Sequence, residues 1–120
     1  MCDHGNSQNL ITNLQPLLQR YGAHYLSGHD HCMESMLHEG VHYIVSGMGD
    51  TCCYEASKID TVPADSVLWY MSKEKKTRDM KGGFASITAT PMSMTATFYD
   101  QDGNTLFTTP EINPRMVKTL

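Results

Sequence analysis

Two histidines separated by one residue, His29 and His31, are the side chains of this 120-residue chain best placed to do chemistry. In an extended segment, side chains at i and i+2 point to the same side, roughly 6.5–7 Å apart at the backbone. Two imidazoles so placed can converge on one ion, or each can serve one ion of a pair about 3.5–4 Å apart. Gly28, just before them, can take turn conformations closed to other residues, so a strand can end there and present the histidines on a loop. The same donors admit a rival use: His29, His31, Cys32 and the vicinal Cys52-Cys53 pair contain the ligand types of a structural zinc site, without the usual Cys-x-x-Cys knuckle. The plain alternative is a pair of surface or core histidines.

The neighbouring segments must deliver this pair to a strand end. Asn6 and Ser7 can cap a helix. Leu10, Ile11, Leu14, Leu17, Leu18 and Tyr21 then recur at 3.6-residue spacing, one apolar stripe on a helix of about three turns. Pro16 removes a backbone hydrogen bond and kinks that helix, and Gly22 stops it. Residues 23–27 read as a short buried strand with the two histidines at its carboxyl end. A helix followed by a strand with a site at the strand's tip is an α/β arrangement. Residues 32–39 fit a strand or a turn. Residues 41–46, rich in Val, Tyr and Ile, read as a strand. Gly47-Met48-Gly49 ends it as a turn, since the third glycine and the helix of a dinucleotide loop are missing. Residues 50–65 form a long loop, a length usually functional or flexible, and 67–71 a further apolar strand. Residues 84–89 and 92–99 alternate with period two, placing Met92, Met94, Ala96 and Phe98 on one face. Asp100-Gln101-Asp102-Gly103-Asn104 then turns the chain into a return strand over 105–109.

Composition narrows the classes. With 40% hydrophobic and 18% charged residues the chain is an ordinary globular segment, of one domain or less. A net charge of −4 gives no electrostatic reason to expect nucleic acid or an anionic membrane as partner. The basic cluster at 73–78 is broken by Glu74 and reads as a solvated loop. No run approaches the ~18 apolar residues of a spanning helix, and residues 1–5 do not read as a secretion signal. The cysteines at 2, 32, 52 and 53 lack the look of a disulfide framework and are read as thiols. His24, His38 and His42 are read as packing or surface histidines, and Asp30 as a hydrogen-bonding residue of the loop.

Gly28-His29-Asp30-His31 resembles the C-terminal part of the purple acid phosphatases, together with Tyr25-Leu26 before it and Gly40-Val41-His42-Tyr43-Ile44-Val45-Ser46-Gly47 after it. The likeness continues through Gly82-Gly83-Phe84-Ala85 and the 92–109 hairpin. It is to the small, tartrate-resistant type, among the calcineurin-like metallophosphoesterases. This resemblance implies the C-terminal portion of a metallophosphoesterase β-sandwich flanked by helices, mostly strands with one N-terminal helix, so that residues 1–120 are a partial domain. It implies hydrolysis of phosphate monoesters, small molecules or phosphoproteins, by a metal-bound hydroxide. The centre would be binuclear, iron with a divalent ion such as zinc, iron or manganese, with His29 on the divalent ion and His31 on the iron. Asp3-His4-Gly5 is similar to the family's substrate-pocket histidine, which contacts the phosphate and protonates the leaving alkoxide. An imidazole suits that role because it titrates near neutral pH.

The family's carboxylate-bearing metal motifs, and the tyrosine that colours these enzymes, lie upstream of the matched part. The isolated chain is therefore expected to bind metal poorly and turn over little or nothing. Family members are often secreted or lysosomal, and these residues carry no address of their own. The second expectation is a non-catalytic module, a trimmed descendant that self-associates or binds a partner through an exposed sheet face.

Overall fold

The computed structural model describes residues 4–49, 56–71 and 82–115. The apolar stripe expected as one helix forms two, α1 (Gln8–Asn13) and α2 (Gln15–Tyr21), which meet at Leu14. Pro16 explains the break, because it sits in the first turn of α2, where its missing N–H costs no intrahelical bond. Leu14 donates to the Leu10 carbonyl and accepts from the N–H groups of Leu17 and Leu18. Gly22 closes α2 in the left-handed region at φ 67°, which glycine adopts without a Cβ penalty. No residue of either helix is fully buried.

Among the described residues seven strands follow, in two sheets. The first has the order β1-β3-β2-β4, built from β1 (Tyr25–Ser27), β2 (Met33–His38), β3 (Val41–Ser46) and β4 (Val67–Tyr70). β1 runs parallel to β3, whereas β2 is antiparallel to both β3 and β4. The second sheet is an antiparallel meander of β5 (Gly83–Ala89), β6 (Met94–Asp100) and β7 (Thr105–Thr108). The segment at 32–39, which sequence left between strand and turn, is a strand because it is paired on both sides. No helix among the described residues is long and apolar enough to cross a membrane.

The core lies between the sheets. Met33, Ile44, Met48 and Met71 meet Ala96, Phe98 and Ile112. Trp69 of β4 covers the far end of this core, 4.9 Å from Phe98 and stacked at 5.3 Å and 3° on Phe107. Since β4 lies over β6 and β7, and Gly83 at the start of β5 hydrogen-bonds to Met48 just after β3, β1 and β5 fall on the same flank, each an edge of its sheet among the described residues.

Period-two patterning places Met94, Ala96 and Phe98 inward as expected, but Met92 is 74% exposed. Thr90 is the reason: its hydroxyl accepts from the N–H groups of Met92 and Ser93 at 3.1 Å each, so the chain turns there before β6 begins. The Asp100 turn forms as read, its carboxylate accepting from the N–H groups of Asp102 and Asn104 at 2.9 and 2.8 Å. Cys32 corrects the thiol reading, since it is buried and disulfide-bonded. Cys2, Cys52-Cys53, the 73–78 cluster and the first part of the 50–65 loop lie outside the described residues. The rest of that loop carries a 3-10 turn at Ile59–Thr61.

Candidate functional site

Topology shapes the histidine loop. β1 and β2 flank β3 on opposite sides, so residues 28–32 must arch over the end of β3, a span of two strand spacings or about 9.6 Å. They do so by two successive three-residue turns rather than in extended form. The Asp30 N–H donates to the Gly28 carbonyl at 2.9 Å, and the Cys32 N–H to the Asp30 carbonyl at 2.7 Å. His29 sits at φ 71°, a conformation that non-glycine residues seldom adopt. The loop presentation allowed by Gly28 is thus the one observed, and the same-side geometry of an extended segment does not apply.

Directly beneath the arch is Gly47. Its N–H donates to the Cys32 carbonyl at 2.9 Å, and a Cβ at this position would lie 1.9 Å from the Asp30 carbonyl oxygen. Only glycine lets β3 leave the sheet under a loop this low.

The histidines divide between two environments. His4 and His29 stack with ring centroids 5.1 Å apart and planes 19° from parallel. Both are exposed, and both line the mouth of a cavity of about 630 Å³ beside Asp30. Leu10, Ile11, Leu14 and Leu18 of the helices wall one side of it; the other is the outer face of the first sheet, with Tyr25, Met36, Tyr43 and Val45. His31, the next histidine along the arch, is also exposed but does not line this cavity.

Glu34 is the acidic residue that sequence reading passed over. It lines the same cavity yet is 3% exposed. Burial pushes its carboxyl above the ordinary range, and the Asp30 carboxylate nearby adds to the shift. Its position on β2, on the face shared with Met36, was the available signal, but that needed the strand to be settled first. Chemically, the mouth offers two adjacent imidazoles beside a carboxyl that holds its proton more tightly than usual.

No family model matches the chain. Individual proteins do. It is 35% identical to tartrate-resistant acid phosphatase type 5 of Oryctolagus cuniculus over 111 residues, 91% of this chain. The Homo sapiens protein of that name is 34% identical over the same extent. This chain is related to the C-terminal part of the purple acid phosphatases. Purple acid phosphatase 4 of Arabidopsis thaliana is 29% identical over 106 residues, 86% of the chain. The chain spans 33% of the length of the two mammalian relatives and 28% of the plant one.

That likeness agrees with the architecture, strands in two packed sheets with a helical start. The family's binuclear metal centre is a separate matter, because the donors here do not fit it. Two neutral imidazoles cannot offset the charge of a trivalent and a divalent cation. Among the described residues, no group of three or more His, Cys, Asp or Glu side chains gathers where it could hold an ion.

Proposed function

We propose that this chain is the C-terminal segment of a phosphatase acting on phosphate monoesters, and that residues 1–120 form a partial metallophosphoesterase domain. In this reading His29 and His31 are the imidazole contribution to a metal site whose acidic ligands lie outside these residues. His4 contacts the phosphate and passes a proton to the departing oxygen. The observation that carries the reading is the stacking of His4 on His29 at the cavity mouth, in a chain related to acid phosphatases over 91% of its length. Two residues 25 positions apart, singled out on separate motifs, meet at one opening. The 120 residues alone, without the acidic ligands that this reading places elsewhere, are inactive.

Two assays test this. The purified chain with added iron and zinc should leave p-nitrophenyl phosphate unhydrolysed, and substantial metal-dependent turnover overturns the inactivity. Joined to the preceding two thirds of a tartrate-resistant relative, the chain should hydrolyse it and lose that activity in His29→Ala and His31→Ala. A folded, metal-loaded chimera without turnover overturns the phosphatase reading.

One observation favours a second reading, self-association without catalysis. Among the described residues β1 and β5 are unpaired edges on one flank, and Leu26 and Phe84 on them are each 50% exposed. Light scattering on a size-exclusion column that finds a monomer would rule this out.

A further inference from the structure

At the end of the first sheet away from the arch, three segments meet on His24. Its Nδ1 accepts the backbone N–H of His42 on β3 at 3.1 Å. Asn113, in the C-terminal segment, lies beside the ring, the two residues lining one small cavity. A ring whose Nδ1 accepts a hydrogen bond is neutral, with its proton on the other nitrogen. His42 packs edge-on against it, ring centroids 5.3 Å apart, with its own Nδ1 buried and unpartnered.

Arg115 completes the arrangement two residues further on. One guanidinium nitrogen donates to the carbonyls of Leu18 and Ala23 at 3.2 Å each, the other to the Glu39 carbonyl at 3.4 Å. Leu18 is in the last turn of α2, where a cation is favoured, and its carbonyl also accepts the N–H groups of Gly22 and Ala23. The Arg115 backbone also lies against Gly22, where a Cβ would come 2.9 Å from its carbonyl oxygen. Residues 112–115 therefore strap the end of α2, and with it the Leu14–Leu18 wall of the cavity, to the sheet.

We infer that His24 and Arg115 form an acid-sensitive clasp, in which proton uptake by the imidazole releases residues 112–115 and loosens α2 over the cavity. A proton on Nδ1 turns the acceptor for the His42 N–H into a second donor, so that hydrogen bond is lost. It also creates a cation beside the Arg115 guanidinium, which acts on both rings. The other titratable groups at this end are Glu39, whose carboxylate accepts from the Gln19 amide, and Tyr43, whose hydroxyl burial holds in its neutral form.

Both histidines are held below the ordinary imidazole range, first by burial, with Arg115 adding to it in each and His24 also acting on His42. A lowered folded-state pKa means that the clasp's contribution is complete above the ordinary value of 6.5 and is lost as pH falls from there through the folded-state value.

Amide hydrogen exchange, corrected for intrinsic rates, tests the clasp. The reporters are His42, Ala23 and Ile112, whose N–H groups bond to His24 Nδ1, Leu18 and Met94. Between pH 7.5 and 5 their protection should fall, by up to about tenfold per pH unit for each proton taken up. In His24→Gln, whose amide can accept and donate but cannot charge, it should fall by a clearly smaller factor, because only His42 is left to take up a proton. Constant protection in the unaltered chain, or an equal fall in the variant, overturns the inference. If the variant does not fold, the midpoint of the His24 ring in the unaltered chain decides. It should coincide with the amide shifts of Ala23 and Ile112, and a separate midpoint refutes the coupling.

Discussion

Gly47→Ala is the most direct probe of the arch. The added methyl would sit 1.9 Å from the Asp30 oxygen and 2.8 Å from its carbonyl carbon. Ordinary carbon–oxygen contact is about 3.3–3.6 Å, so the loop must lift by roughly 1.4–1.7 Å. The obstacle is backbone on both sides, and no rotamer change relieves it. Lifting also breaks the 2.9 Å bond from the Gly47 N–H to Cys32. Overpacking costs about 1–3 kcal/mol and the lost bond about 0.5–1.5 kcal/mol, a total of about 1.5–4.5 kcal/mol. Urea unfolding followed by Trp69 fluorescence measures the loss, and imidazole NMR shifts report the stack, since His29 rides on the moving loop while His4 does not. Gly49→Ala is the control, because nothing lies within 4 Å of a Cβ there, and it should stay within ~0.5 kcal/mol of the parent. A Gly47→Ala protein as stable as that control, with unshifted His4 and His29 signals, would refute the account of the arch.

Two further expectations concern the scaffold. Phe98→Ala removes a fully buried ring that touches Trp69 and Phe107; it should cost about 3–5 kcal/mol in urea unfolding and red-shift Trp69 emission, and a loss under ~1 kcal/mol would place the core elsewhere. Asp100 is held below the ordinary carboxylate range, chiefly by the Asn104 side-chain amide at 2.9 Å and then by backbone N–H groups of the turn. Its stabilisation is therefore complete above the ordinary value of 3.8 and lost as pH falls through the lower folded-state value. Carbonyl NMR should give Asp100 a midpoint below that of Asp100 in the urea-unfolded chain, and an equal or higher midpoint would contradict the turn's geometry.

What the sequence made legible was local chemistry. Pro16 and Gly22 mark the break and the end of the helical stripe because each acts on its own backbone. The β6 alternation and the Asp100 turn declare themselves within a few residues. Pairing at a distance was illegible. Met33, Met36 and Leu37 suit a strand or a turn equally, and the choice is made by β3 and β4 on either side. The disulfide of Cys32 and the meeting of His24, Asn113 and Arg115 likewise depend on partners remote in the chain. At the site, spacing drew attention to His29 and His31 but assumed extended backbone. The true shape is dictated by β3 passing underneath, which no pattern within residues 28–32 encodes.

The placement of β3 between two earlier strands also sets an order of events. β1 and β2 emerge first, yet the hydrogen bonds of β1 go to β3 alone within its sheet, so the newborn first strand has nothing to zip onto. Residues 28–32 span nothing until β3 slots in beneath them, and the histidine pair acquires its arrangement late, by intercalation of a latecomer. Slow maturation of the histidine-bearing tip, after the meander of β5 to β7 has formed from near neighbours, follows from that wiring.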